Sequence, residues 1–235
     1  MAPRPGSHGD LSGERDRQTV RVGPWTRRSR RVAYENAWID VWHDEVERPD
    51  GSAGVYGLVH FHTRAVGVVA VGDEGRLLLV GQHRYALDEY SWEIPEGGVE
   101  PGESLEDGAR RELREETGHT AGRWRQLARI TLSNSVTDER GALFLAEGLV
   151  AGAAEPDPTE LLEIRWATLD EVLGEIAGGE IHDVMTVAAV GVYAAERLRG
   201  SGRLRPASAR GRVRSASTRR MADRGSSGAV HRHRS

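Results

Sequence analysis

The 235-residue chain has no cysteine and no lysine; all 32 of its basic residues are arginine. Disulfides, thiolate nucleophiles and Cys-ligated zinc are therefore excluded, as are a P-loop and any mechanism built on a lysine amine. The net charge of −4 conceals an acidic body of −18 over residues 32–199, between basic ends of +5 (residues 1–31) and +9 (residues 200–235).

Both ends are rich in Arg, Ser, Gly, Ala and Pro and show no apolar periodicity, so residues 1–31 and 200–235 are expected to be disordered tails. Neither an apolar leader nor a run of ~20 apolar residues is present, which predicts a soluble protein with no membrane partner. The lack of cysteine suits a reducing cytoplasm. Ten arginines near the C-terminus could neutralise phosphates, but no aromatic residues are interleaved for stacking, and nucleic acid is not the expected partner.

The body, residues 32–199, reads as one domain. A strand is predicted over Trp38–Val46, ending at the turn Pro49-Asp50-Gly51, with Val55–His62 as its hairpin partner. Ala65–Val71 and Arg76–Gln82 form a second hairpin across Asp73-Glu74-Gly75. The run Trp92-Glu93-Ile94-Pro95-Glu96-Gly97-Gly98 is predicted as a loop. A helix follows at about Leu105–Thr117, then strands at Arg123–Leu132, Ala142–Val150 and Glu163–Thr168. Helices near Asp170–Ala177 and His182–Leu198 close the domain. Strands mixed with few helices point to an α+β fold.

The Leu105–Thr117 helix carries the chemistry. Ser104 is a good N-cap and Gly118 a natural stop. At about 100° per residue, Leu105, Ala109 and Leu113 form an apolar stripe; Glu116 falls within it and Glu112 on its edge. Asp107, Arg110 and Arg114 form the solvated face. Carboxylates aimed at the core need a cation or a proton, and their hard oxygens favour magnesium, or alternatively manganese, over zinc. Arg111 stands four residues before Glu115 and is placed to orient it.

Gly97, Glu103, Arg111, Glu112, Leu113, Glu115, Glu116 and Gly118 fill every fixed position of a pattern that resembles the Nudix box, Gly-x5-Glu-x7-Arg-Glu-U-x-Glu-Glu-x-Gly-U with U apolar. His119, in the last apolar slot, departs from it. Trp92–Gly97 also resembles the loop before the box in ADP-ribose pyrophosphatases and related nucleotide-sugar hydrolases. Residues 32–62 resemble the arm those enzymes add, which commonly builds a homodimer.

The resemblance implies a Nudix-type α/β/α sandwich with a mixed sheet, preceded by an antiparallel strand arm. It implies Glu112, Glu115 and Glu116 as metal ligands, with the backbone carbonyl of Glu96, and Glu93 and Glu103 as outer members of the cluster. A base from the segment 155–163 is expected, with Glu160 and Glu163 as candidates. Arg84, Glu93 and Glu139 are the expected substrate contacts. Tyr85 either joins them or packs in the core. The implied reaction is metal-dependent hydrolysis of a diphosphate joining a nucleoside to another group, ADP-ribose or a related nucleotide sugar. The alternatives are a nucleoside triphosphate sanitising enzyme and a sensing module that binds without cleaving.

Overall fold

The computed structural model describes residues 18–154 and 161–201. The expectations for residues 1–17 and 202–235, and for the candidate base Glu160, fall outside them. The first four strands, β1 (Val20–Val22), β2 (Trp25–Glu35), β3 (Ile39–Glu47) and β4 (Ala53–Phe61), form an antiparallel sheet in chain order. The expected boundary at residue 31 is thus corrected, because it falls inside β2. Arginine obscured this strand, since its partners are acidic residues across the pair and not an apolar core. Arg28 reaches Glu47, and Arg30 binds both oxygens of Asp44 at 2.7 Å while lying 3.7 Å from the centroid of Trp42. Such cross-strand pairs hold a sheet whose faces are only half-buried.

The second sheet runs in the order β11 (Glu163–Ala167), β6 (Leu77–Arg84), β5 (Ala65–Val71), β10 (Arg140–Ala151), β9 (His119–Thr131). Two short strands flank this path: β7 (Glu89–Glu93) on β6 and β8 (Glu96–Gly98) on β5. The sheet is mixed, because β5 and β10 are parallel and the other pairs antiparallel. The presumed loop at 92–98 is therefore largely strand, interrupted where Pro95 cannot donate to a ladder.

Both faces of this sheet are covered, which is why β5 and β10 read as continuous apolar runs. On one face α1 (Leu105–Thr117) packs Ala109 and Leu113 against Val66, Val68, Leu78 and Phe144. On the other, α2 (Leu169–Gly178) and α3 (Val184–Gly200) pack Val172, Met185, Ala189 and Tyr193 against Val69, Leu79 and Leu143. The helix caps follow the sequence signals: the Ser104 hydroxyl accepts from Asp107 N, Thr168 and Glu171 form a capping box, and Gly118 turns left-handed at φ 72°.

The arm joins the core through residues 135–138, which lie along the outer edge of β4. Val59 N–H donates to Val136 O at 2.9 Å, and Asp138 N–H donates to Val59 O at 3.2 Å. Asp138 also accepts from Phe61 N–H at 3.1 Å and pairs with His60 Nδ1 at 2.6 Å. Among the described residues no helix is long and apolar enough to cross a membrane.

Candidate active site

One end of the mixed sheet gathers the candidate residues: β5, β10 and β11 begin there, β6 ends there, and β8 lies alongside. Helix α1 brings its inward face to this end. Glu116 is 7% exposed, and its Oε2 accepts from Glu96 N–H at 3.1 Å. The carboxylate of Glu112 lies directly against Cα of Gly97, where any Cβ would collide with it. That close approach is the physical reason for glycine at the head of the motif.

Arg111 is the hub of the cluster. Its Nη1 donates to Glu112 at 2.8 Å and to Glu115 at 3.0 Å, its Nε to Glu103 at 3.2 Å, and its Nη2 to the carbonyl of Gly98 at 2.6 Å. Burial alone would lower its pKa, but Glu103, Glu112 and Glu115 outweigh that and raise it, so the guanidinium is permanently charged. Glu103 is held below the usual carboxylate range: the desolvation that would raise it is outweighed by the Glu100 N–H and by Arg111. The expected Arg111–Glu115 pair is present, and Arg111 also grips two further acids.

Behind this cluster lies a second one. Glu93, 2% exposed, is paired with Arg84, whose Nε lies 2.9 and 3.1 Å from its oxygens. Arg84 Nη2 reaches Glu96 Oε1 at 3.3 Å, while Glu96 Oε2 is buried with no hydrogen-bond partner among the described residues. Burial, then the charges of Asp183 and Glu93, push the Glu96 carboxyl well above its usual range.

The other candidates divide. Glu139 is half-buried at the head of β10, its pKa raised by burial and then by Asp138. Tyr85 is 98% exposed at the tip between β6 and β7, which corrects the core alternative for it. Glu163 stands at the same end of the sheet, opposite Gly81, and so shares the face of Leu79 and Trp92 that α2 and α3 cover. The structure does not bring it to the α1 carboxylates; it hydrogen-bonds Tyr90, whose hydroxyl is raised by burial and then by Glu163.

Sequence reasoning missed the contribution of α3. Its N-cap Asp183 adds negative charge beside Arg84 and Glu96, and its buried Thr186 accepts from Ile94 N–H at 3.0 Å. The N-cap was a readable signal. A lone hydroxyl in an apolar helix was not.

The donor set suits a hard divalent cation, being all oxygen, partly buried and in excess over its local cations. Among the described residues no three acidic or histidine side chains converge in a finished ligating group, and Arg111 Nη1 bonds both Glu112 and Glu115. A cavity of about 350 Å³ between α1 and β9 shares Glu103 and Arg111 with the cluster, but its lining includes neither Glu96 nor Glu116.

Residues 61–187 match the NUDIX domain family, and residues 25–59 match the nucleoside diphosphate sugar hydrolase N-terminal domain. The chain belongs to the Nudix hydrolase family. It is 38% identical over 154 residues to an ADP-ribose pyrophosphatase of Bacillus subtilis, covering 65% of this chain and 83% of that one. It is 32% identical over 182 residues to a CMP-5'-(N-acetyl-N-hydroxy-3-aminopropyl)phosphonate hydrolase of Streptomyces rubellomurinus, covering 75% and 84%. A crystal structure of an ADP compounds hydrolase superposes with a TM-score of 0.67 at 23% identity, covering 74% of this chain and 94% of the other, which establishes the shared fold. As a Nudix hydrolase the protein is an enzyme, and Glu112, Glu115 and Glu116 lie within the residues that match the family.

Proposed function

We propose that this Nudix hydrolase cleaves the diphosphate of a nucleoside diphosphate sugar, with ADP-ribose as the first candidate and magnesium as the cation. The observation that carries the reading is the arm. Residues 25–59 match an N-terminal domain described for nucleoside diphosphate sugar hydrolases, and they form the sheet bonded to the loop that carries Glu139. Glu112, Glu115 and Glu116, with the backbone carbonyl of Glu96, would hold magnesium, which when bound polarises a phosphate oxygen and lowers the pKa of water.

The protein's own part is to position and to exclude. Arg111 Nη1 holds Glu112 and Glu115 side by side and offsets part of their mutual repulsion, so that both stay ionised beside one another until a cation draws them in. Arg84 is held by Glu93 and, being part-exposed, offers its remaining donors to a phosphate oxygen. Glu139, carried on the loop gripped by the arm, is placed to accept from a substrate hydroxyl or amino group. The attacking water requires a base, and Glu160 is the remaining candidate from the 155–163 segment. Tyr34, Trp38 and Val55 are 51%, 68% and 57% exposed on the arm, which supports a homodimer that covers them.

The deciding measurement is kcat/KM with magnesium for ADP-ribose, other nucleoside diphosphate sugars and nucleoside triphosphates. A triphosphate preferred tenfold or more, about 1.4 kcal/mol, would overturn the substrate class. A CMP-linked phosphonate belongs in the same panel, because one relative is named for hydrolysing such a compound.

A further inference from the structure

The segment joining β7 to β8 places the box. It carries Glu93, which holds Arg84, and Glu96, whose N–H binds Glu116. Each of its residues is fixed from a different direction. Pro95 O accepts from Val68 N–H on β5 at 2.9 Å, and Glu96 N–H donates to Glu116 Oε2 on α1 at 3.1 Å. Ile94 N–H donates to Thr186 Oγ1 on α3 at 3.0 Å. Of these anchors, only Thr186 comes from outside the sheet and the box, from the helix on the opposite face.

Thr186 is wholly buried, and Ile94 is 1% exposed. With both residues closed off from solvent, an orphaned amide here would be costly to keep. The packing leaves the segment no easy alternative path: Gly67 lies so close to Ile94 Cδ1 and Met185 Cε that a Cβ would sit 2.8 and 3.1 Å from them. Thr186 is itself immobilised, since its N–H donates to the capping carboxylate of Asp183 at 2.6 Å. A chain of contacts therefore runs from the α3 cap through Thr186 and Ile94 to the residues on either side.

We infer that Thr186 is a positioning residue for the metal-diphosphate site, setting the segment 93–96 at the height where the Glu96 backbone and the Arg84–Glu93 pair meet the α1 carboxylates. It touches neither substrate nor cation. Its hydroxyl acts through Ile94 N–H, and the α3 side of the sheet thereby has a direct part in the chemistry performed on the α1 side. The role rests on the Nudix assignment and not on which nucleotide is the substrate.

The test compares Thr186→Val with Thr186→Ser in the full chain. Valine keeps the shape and removes the acceptor; serine keeps the acceptor and loses a methyl. Manganese binding is measured calorimetrically without substrate, beside kcat, KM and melting temperature. Thr186→Val should bind manganese about tenfold more weakly and lose about 10- to 100-fold in kcat with KM little changed, whereas Thr186→Ser should stay within about threefold on each. Failure of the triphosphate or ADP-ribose panel alone would leave this pattern intact.

A merely structural hydroxyl would behave differently: both variants would lose melting temperature, while the folded protein kept wild-type kcat and manganese affinity. That result overturns the inference. Should Thr186→Val fail to fold, Thr186→Ala, which also removes the acceptor for Ile94 N–H, is read by the same criteria.

Discussion

Replacing Gly97 by alanine should separate the site from the fold. The new methyl would occupy the position of the Glu112 carboxylate, with its carbon and both oxygens inside contact distance. The backbone there does not require glycine, since Gly97 is not among the positive-φ residues, so no conformational strain is added. The collision is with the end of a flexible side chain, and Glu112 yields by rotating away. Its losses include the 2.8 Å bond to Arg111, a largely buried pair whose Arg111 end keeps Glu103 and Glu115, so that the net cost is that of one hydrogen bond, about 1 kcal/mol. Stability should therefore fall by about 1 kcal/mol or less, a few degrees in melting temperature. The catalytic consequence is larger, because displacing a ligand by an ångström costs on the order of 10²-fold in rate, about 2.7 kcal/mol. Turnover of ADP-ribose in saturating magnesium and a thermal melt on the same sample give both numbers. Wild-type turnover in Gly97→Ala would refute the placement of Glu112, and collapse of the fold would refute the claim that only its side chain moves.

Glu116→Gln keeps an acceptor for Glu96 N–H but removes a charge, and should cost at least about 10²-fold in turnover, roughly 3 kcal/mol, with metal-free stability unchanged or higher; near-wild-type activity would sink the ligand assignment. Arg84→Met strands the buried Glu93 carboxylate and should destabilise by about 3–5 kcal/mol in urea titrations, with Glu93→Gln in the same chain recovering much of the loss. His62 is raised above 6.5 by its hydrogen bond to Asp40, so its contribution is full below that value and is lost as pH rises through the folded pKa. The melting temperature of the arm should accordingly decline above about pH 6.5 in the wild type, and His62→Gln should flatten that decline; an unchanged slope would remove His62 as its cause.

The helix α1 was legible because its signals are local: a capping serine, a stopping glycine and a 3.6-residue rhythm that turned Glu116 inward. The apolar strands β5 and β10 were legible for the same reason. β2 was not, since Arg28 and Arg30 find Glu47 and Asp44 19 and 14 residues away, and nothing in the local composition announces the pairing. The face of Glu163 depends on register against Gly81, which no pattern within β11 determines. Tyr85 looked like a core or contact residue by type, yet the β6–β7 hairpin projects it into solvent. Thr186 was hidden among apolar neighbours on α3, its use visible only once β7 and β8 were in place.

The edge of β4, extended by residues 135–138, ties the arm to the loop that carries Glu139. Val59 N–H donates to Val136 O and Val59 O accepts from Asp138 N–H, so opening the seam at Val59 exposes both amides to exchange. A ligand that draws on Glu139 would then raise protection across β4 as well, although no atom of that strand need touch it. The 133–139 turn holds no proline, and its order is supplied instead by hydrogen bonds to the neighbouring sheet.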